Sequence, residues 1–126
     1  MKENAISQRI IGCAIEVHKE LGPGLVESIY EESLCHELSL ASMTFRRQRS
    51  VPIQYKGVSL ATPLRLDLLV EEQVIVDNKS KKELTPLDEQ QLLSYLRLTG
   101  LRLGLLINFN SIRLIDGVRR VINGFG

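Results

Sequence analysis

The sequence contains no tryptophan and only two cysteines, Cys13 and Cys35. Both fall inside helical patterns and belong to no CxxC pair or Cys/His cluster, which excludes a disulfide framework and a cysteine-built zinc site. They read as reduced, partly buried thiols. No apolar run approaches the ~18 residues of a membrane span. The opening stretch "MKENAISQR" lacks the apolar centre of a secretory signal. A cytoplasmic protein with no membrane partner is expected. Neither sign of charge dominates: the formal net charge is +1, which argues neither for nor against a nucleic-acid partner. Local basic clusters stand at Arg46, Arg47 and Arg49, at Lys79, Lys81 and Lys82, and at Arg119 and Arg120. By themselves such clusters are solvated faces.

What is present is an ordinary globular composition, 44% hydrophobic and 25% charged over 126 residues. That is enough chain for one domain, 1–126, with a real core. Ile6, Ile10, Ile11, Ala14, Val17 and Leu21 form a helical stripe over 4–21, stopped by "GPG" at 22–24. A second helix is expected from about Leu25 to Ala41, with Val26, Ile29, Tyr30, Leu34 and Leu38 inward. Strand patterns follow over Phe45 to Tyr55, with Pro52 marking an edge or a bulge, and over Val58 to Val70 with a break near Thr62 and Pro63. Val74 to Lys79 closes a third strand. Thr85 and Pro86 then open a helix, with Asp88 in its first turn, and Gly100 ends it. Arg102–Phe109, Ile112–Ile115 and Val118–Ile122 read as strands, the last two joined by a turn at Asp116-Gly117. The order is α-α-β-β-β-α-β-β-β. A helix between the third and fourth strands predicts a crossover that makes them parallel.

The stretch "QVIVDNKSKK" runs from apolar strand to charge within four residues. Alternation puts Asp77 and Lys79 on one face and Asn78 on the other. On the preceding strand, Arg65, Asp67 and Leu69 share a face by the same rule. A three-residue loop, Glu71 to Gln73, would set Val70 against Val74 and Asp67 directly opposite Asp77. A two-residue loop would put them on opposite faces. Facing carboxylates repel, so such a pair calls for a shared proton, a basic neighbour or a cation. Two carboxylates suit Mg²⁺, which keeps waters in its octahedron. Lys79 beside them can stabilise developing negative charge. The plain alternative is a salt-bridged strand end.

Further segments bear on that choice. "GLVESIY" at 24–30 reads G-x-x-E-x-x-Y. With "RLDLLV", "VIVDNK", "LTPLDEQQLLSYLRLTGLRLGLLINF" and "DGVRRVIN", it resembles the GxxExxY protein family of the PD-(D/E)XK, restriction-endonuclease-like nuclease superfamily. The resemblance runs from about Ile11 to Asn123. It implies an α/β fold, a mixed sheet flanked by helices with core αβββαβ, an extra N-terminal helix and a C-terminal hairpin. It implies a nuclease acting on DNA or RNA with Mg²⁺ or Mn²⁺. By motif position, Asp67, Asp77 and Glu27 would be metal ligands. Lys79 would be catalytic with the two aspartates, and Gln91 and Tyr95 would form a Q-x-x-x-Y element beside them. Leu87, Gln91 and Tyr95 form a row that reads as inward. Relatives carry Glu-Leu-Lys where this chain has Asp77-Asn78-Lys79, so a buried Asn78 would need hydrogen-bond partners. A non-catalytic nucleic-acid-binding or protein-interaction module on the same fold is the competing expectation. A homodimer is expected, since a small nuclease domain gains a cleft by pairing and the C-terminal strands offer an edge.

Overall fold

The computed structural model describes residues 2–124. Helix α1, Lys2–Leu21, buries Ile6, Ile10, Ala14 and Val17 along one stripe. Left-handed Gly22 and Gly24 turn the chain into α2, Glu27–Leu40. Its buried residues are Tyr30, Glu31, Leu34, Cys35 and Leu38. Val26 and Ile29, expected inward, are exposed. The helix begins at Glu27, and its inward row is the one through Tyr30, Leu34 and Leu38, so Ile29 faces out. His18 in α1 donates from Nε2 to the Ser111 carbonyl at 2.7 Å, which ties the helix to the far end of the sheet.

Strand β1, Phe45–Val51, stops short of the expected Tyr55 because Pro52 cannot extend the ladder. A small separate hairpin follows, β2 Gln54–Tyr55 and β3 Val58–Ser59, then β4, Leu64–Val70, and β5, Val74–Lys79. Helix α3, Pro86–Thr99, has the expected start: Thr85 and Asp88 form a reciprocal capping box, and Gly100 ends it at φ 76. Strand β6, Leu103–Asn108, is buried throughout, and β7, Val118–Ile122, completes the sheet. The five-stranded order is β1-β4-β5-β6-β7, with β5 and β6 parallel across the α3 crossover and the other pairs antiparallel. This is the mixed, helix-flanked architecture that the resemblance implies, with α1 as the extra helix.

The strand expected over Ile112–Ile115 does not form. Bends lead instead into a 3-10 turn, Leu114–Gly117, so Asp116-Gly117 is not a hairpin turn. The reason is topological: β7 already occupies the free edge of β6, and no ladder is left for a strand between them. Leu114 drops into the core beside α1 and Ile112 stays exposed.

The sheet separates two apolar layers. Helices α1 and α2 cover Leu68, Val70, Val74, Val76, Leu105 and Ile107 on one face. Leu92 and Leu96 of α3 cover Leu66, Leu69, Ile75 and Leu106 on the other. Among the described residues no helix is long and apolar enough to cross a membrane. Helix α3 sits so close that a Cβ on Gly104 would lie 2.9 Å from the fully buried Leu92 side chain. Gly104→Val is therefore expected to destabilise the fold by about 1–3 kcal/mol, the usual cost of overpacking. Urea unfolding checks this against an exposed control, Leu98→Val.

Candidate metal centre at the fork of the sheet

The loop between β4 and β5 has three residues, and the register is Val70↔Val74, Leu69↔Ile75 and Leu68↔Val76. The ladder ends there. The next pair would be Asp67 with Asp77, and the strands part at this point. The Asn78 amide, which a β4 carbonyl would otherwise receive, donates to Asp67 Oδ2 at 3.0 Å. A side-chain carboxylate thus closes the ladder and opens a fork.

Strand β4 does not alternate regularly through the fork. Leu66 and Leu69 both join the α3 layer, whereas Leu68 and Val70 join the α1/α2 layer. The phase therefore slips by one residue. Asp67 does not share a face with Leu69, as regular alternation predicts. It lines a cleft of about 500 Å³ with Val26, Glu27, Ser28, Glu31, Arg47 and Gln48.

Asp77 is buried, at 6% exposure, in the fully paired part of β5 beside β6. Its Oδ1 lies 3.5 Å from Lys79 Nζ, and its Oδ2 has no hydrogen-bond partner. Burial pushes its pKa up to about 7, with the Lys79 ammonium opposing and the Asp67 carboxylate adding to the rise. Burial also raises Asp67, against the Asn78 amide that holds its charged form. Glu27 is raised by burial and by Asp67. For Lys79, burial works against the charge, but the carboxylates, Asp77 first, outweigh it and hold the ammonium protonated.

Helix α2 delivers Glu27 to the cleft through a tied loop. The Tyr30 hydroxyl donates to the Gly22 carbonyl and accepts from the Leu25 amide at 3.0 Å. Its ring stacks on Phe109 at 4.7 Å. Ser80, just past β5, donates to the Leu25 carbonyl. Tyr30 therefore packs and positions, which explains why a Tyr stands three residues after Glu27.

Gln91 and Tyr95 lie on the flank of α3 nearest the site. Gln91 Oε1 accepts from Lys79 Nζ at 3.4 Å. Tyr95 is half-buried, and its pKa is raised by burial and by Asp77. The row Leu87, Gln91, Tyr95 is not inward: Leu87 and Gln91 are exposed, and the buried row is Asp88, Leu92, Leu96. Helical spacing alone left two adjacent rows to choose from, and the docking of α3 on Gly104 selected the second. Lys81, expected to face solvent, is half-buried and pairs with Asp88 at 2.9 Å.

Among the described residues, no three His, Cys, Asp or Glu side chains are gathered into a ready cation cage. Hard oxygen donors are nonetheless in place. Asp77 Oδ2 is a buried oxygen with no donor aimed at it, and the Asp67 carboxyl stands close enough to share a proton with Asp77. Two carboxylates and a set of waters suit a small hard cation.

Asn78 is fully buried, and neither end of its side-chain amide has a partner. Strand alternation places it with Val74 and Val76 toward the α1/α2 layer. The requirement that it find partners is thus unmet. Of the cleft wall, the sequence pattern marked Arg47 only as one of a basic cluster and did not single out Glu31 or Gln48 as site residues. A signal existed for Glu31, a charge on the stripe that carries Leu34, Cys35 and Leu38.

A family model described as the PD-(D/E)XK nuclease superfamily matches residues 4–121 of the chain. No curated protein and no solved structure matches it.

Two outcomes follow from this geometry. Asn78→Leu removes two unsatisfied groups and is expected to stabilise the protein by about 1–3 kcal/mol, read as a raised urea midpoint. Asp77, with its raised pKa, contributes stability that is full below its unfolded pKa of about 4. That contribution is lost as pH rises through its folded value near 7. In chelator, the midpoint of wild type should fall between pH 5 and pH 8 by more than that of Asp77→Asn. Equal slopes would remove Asp77 as the cause.

Proposed function

The chain belongs to the PD-(D/E)XK nuclease superfamily, and from that premise we propose that it hydrolyses phosphodiester bonds in DNA or RNA with a divalent cation, Mg²⁺ or Mn²⁺. The observation that carries this reading is Asp77 Oδ2, a buried carboxylate oxygen left without a partner beside Asp67 and Lys79. An orphaned buried acceptor is costly, and a cation at the fork would satisfy it. Asp67 and Asp77 would hold the ion, which when bound supplies Lewis-acid activation of the phosphoryl group and a water of lowered pKa.

The protein's own groups have distinct tasks. The Lys79 ammonium, held between Asp77 and Gln91, stabilises negative charge that develops on the phosphoryl oxygens. Gln91 limits the swing of that ammonium. The Tyr95 hydroxyl, kept neutral, walls the site on the α3 side. Glu27 faces the cleft from α2 and orients water on the substrate side. In this reading residues 1–126 act as one nuclease domain in the cytoplasm, where Cys13 and Cys35 stay reduced. Self-pairing through β7 belongs to it too, since β7 is an open sheet edge with Ile122 exposed.

The competing reading is a non-catalytic nucleic-acid-binding or protein-interaction module. Its support is the proton that burial holds on Asp77, which a cation must displace. Purified protein is expected to run as a homodimer in light scattering and to cleave some member of a panel of single- and double-stranded DNA and RNA. Cleavage should need Mg²⁺ or Mn²⁺. Asp67→Asn and Lys79→Ala should each lower kcat/KM by about 100-fold or more. Variants that cut as fast as wild type would place the activity elsewhere, and cation binding absent by calorimetry would favour the module.

A further inference from the structure

Glu31 follows Glu27 by one helical turn and is 5% exposed. An apolar residue on that stripe would pack without desolvating a charge. The carboxylate is instead fully engaged: Oε2 accepts from Arg47 Nε at 2.7 Å, and its two oxygens accept from Gln48 Nε2 at 3.1 and 3.0 Å. Arg47 and Gln48 are adjacent on β1, and adjacent strand residues ordinarily face opposite sides. Both reach Glu31 because Gln48 takes φ 52, left-handed backbone that a glutamine rarely adopts. The β1–β4 register passes from Arg47↔Leu68 to Arg49↔Leu66, so the pair omitted is Gln48 with Asp67. Strain and a buried charge are thus spent at the strand position facing Asp67.

Their product is one oriented guanidinium. Arg47 spends Nε on Glu31 and has no other partner among the described residues. Its side chain is 40% exposed and lines the cleft with Glu27, Ser28 and Asp67. The remaining N–H fork fits a phosphate in bidentate fashion. We propose that Glu31 and Gln48 present Arg47 as a phosphate-holding station for the nucleic-acid strand, gripping a backbone phosphate next to the one offered to Asp67 and Lys79. The inference rests on the nuclease reading and adds to it a strand-binding residue and its two positioning residues.

The test measures binding and turnover separately. Fluorescence anisotropy with a labelled oligonucleotide, in chelator and across a salt series, reads binding. Arg47→Gln should weaken it about tenfold or more and lower the salt slope by about one phosphate contact. In Mg²⁺ the same variant should raise KM and leave kcat near wild type. Arg47→Lys should recover only part of the affinity, since it restores charge without the fork. Glu31→Gln, which keeps Arg47, should lose part of it too. The double variant Glu31→Gln/Arg47→Gln leaves no unpaired buried charge, so it keeps the test open if Arg47→Gln alone fails to fold. Arg46→Gln is the control, because Arg46 is exposed and paired with Glu72. Wild-type affinity in Arg47→Gln, or an equal loss in Arg46→Gln, overturns the station and leaves the nuclease reading standing. Binding without cleavage in any metal overturns the nuclease reading, and its loss in Arg47→Gln would still uphold the station. A wild-type protein that binds no oligonucleotide overturns both.

Discussion

The hydrogen bond from the Asn78 amide to the Asp67 carboxylate governs the geometry of the site. Two antiparallel strands normally pair until one of them turns away. Here the ladder ends while both strands continue, because an acidic side chain takes the amide that a carbonyl would have received. The same bond holds Asp67 half-buried at the fork, within hydrogen-bond reach of the Asp77 carboxyl. With the ladder extended by one pair, Asp67 and Asp77 would be ordinary facing residues, repelling one another with no space between the strands. On the other side Asp77 and Lys79 are held by continuous parallel pairing to β6, so one arm of the fork is rigid. The other arm is tuned by the slip in β4 and by the left-handed Gln48 opposite it.

Around the fork the electrostatics are local. A net charge of +1 describes the chain and says nothing about the cleft, where Glu27, Glu31 and Asp67 face Arg47, with Asp77 and Lys79 behind them. Burial raises the pKa values of Glu27, Asp67 and Asp77 together. All three therefore favour the proton more than free carboxyls do, and a cation held among them must displace it. Glu31 departs from this group, since Arg47 and Gln48 satisfy it within the protein. Helix α2 thus carries two glutamates with different work: Glu27 looks to the cleft, and Glu31 braces the wall. Tyr30, between them in sequence and fully buried, holds the helix end that positions both.

Much of this was legible before any coordinates. The order of elements up to β6, the parallel crossover and the start of α3 at Thr85 follow from local chemistry. Capping and periodicity act within a few residues, so a linear text records them. The loop at Glu71–Gln73, by contrast, could have had two residues or three until the β4–β5 register chose three. The motif positions of Asp67, Asp77 and Lys79 were likewise readable, and the structure brings these three together at the fork. The misread features are of another kind. Ile112–Ile115 has strand composition but no partner edge. Leu87 and Ile29 are apolar yet lie on rows that no layer covers. Lys81 looked like a surface lysine until Asp88 came within reach.

Local sequence determined where most helices, strands and turns fall and which acids and bases cluster along the chain, because those choices depend on neighbours a few positions apart. At Ile112–Ile115 the lack of a free sheet edge overrode it. Tertiary structure alone decided that Asp67 would close the ladder, that β4 would slip its phase, and that Gln48 would turn its amide onto Glu31. It also left Asn78 sealed without a partner. These outcomes depend on how two strands and a helix, distant in sequence, divide a limited set of hydrogen-bond donors and a limited volume. No residue carries that division by itself.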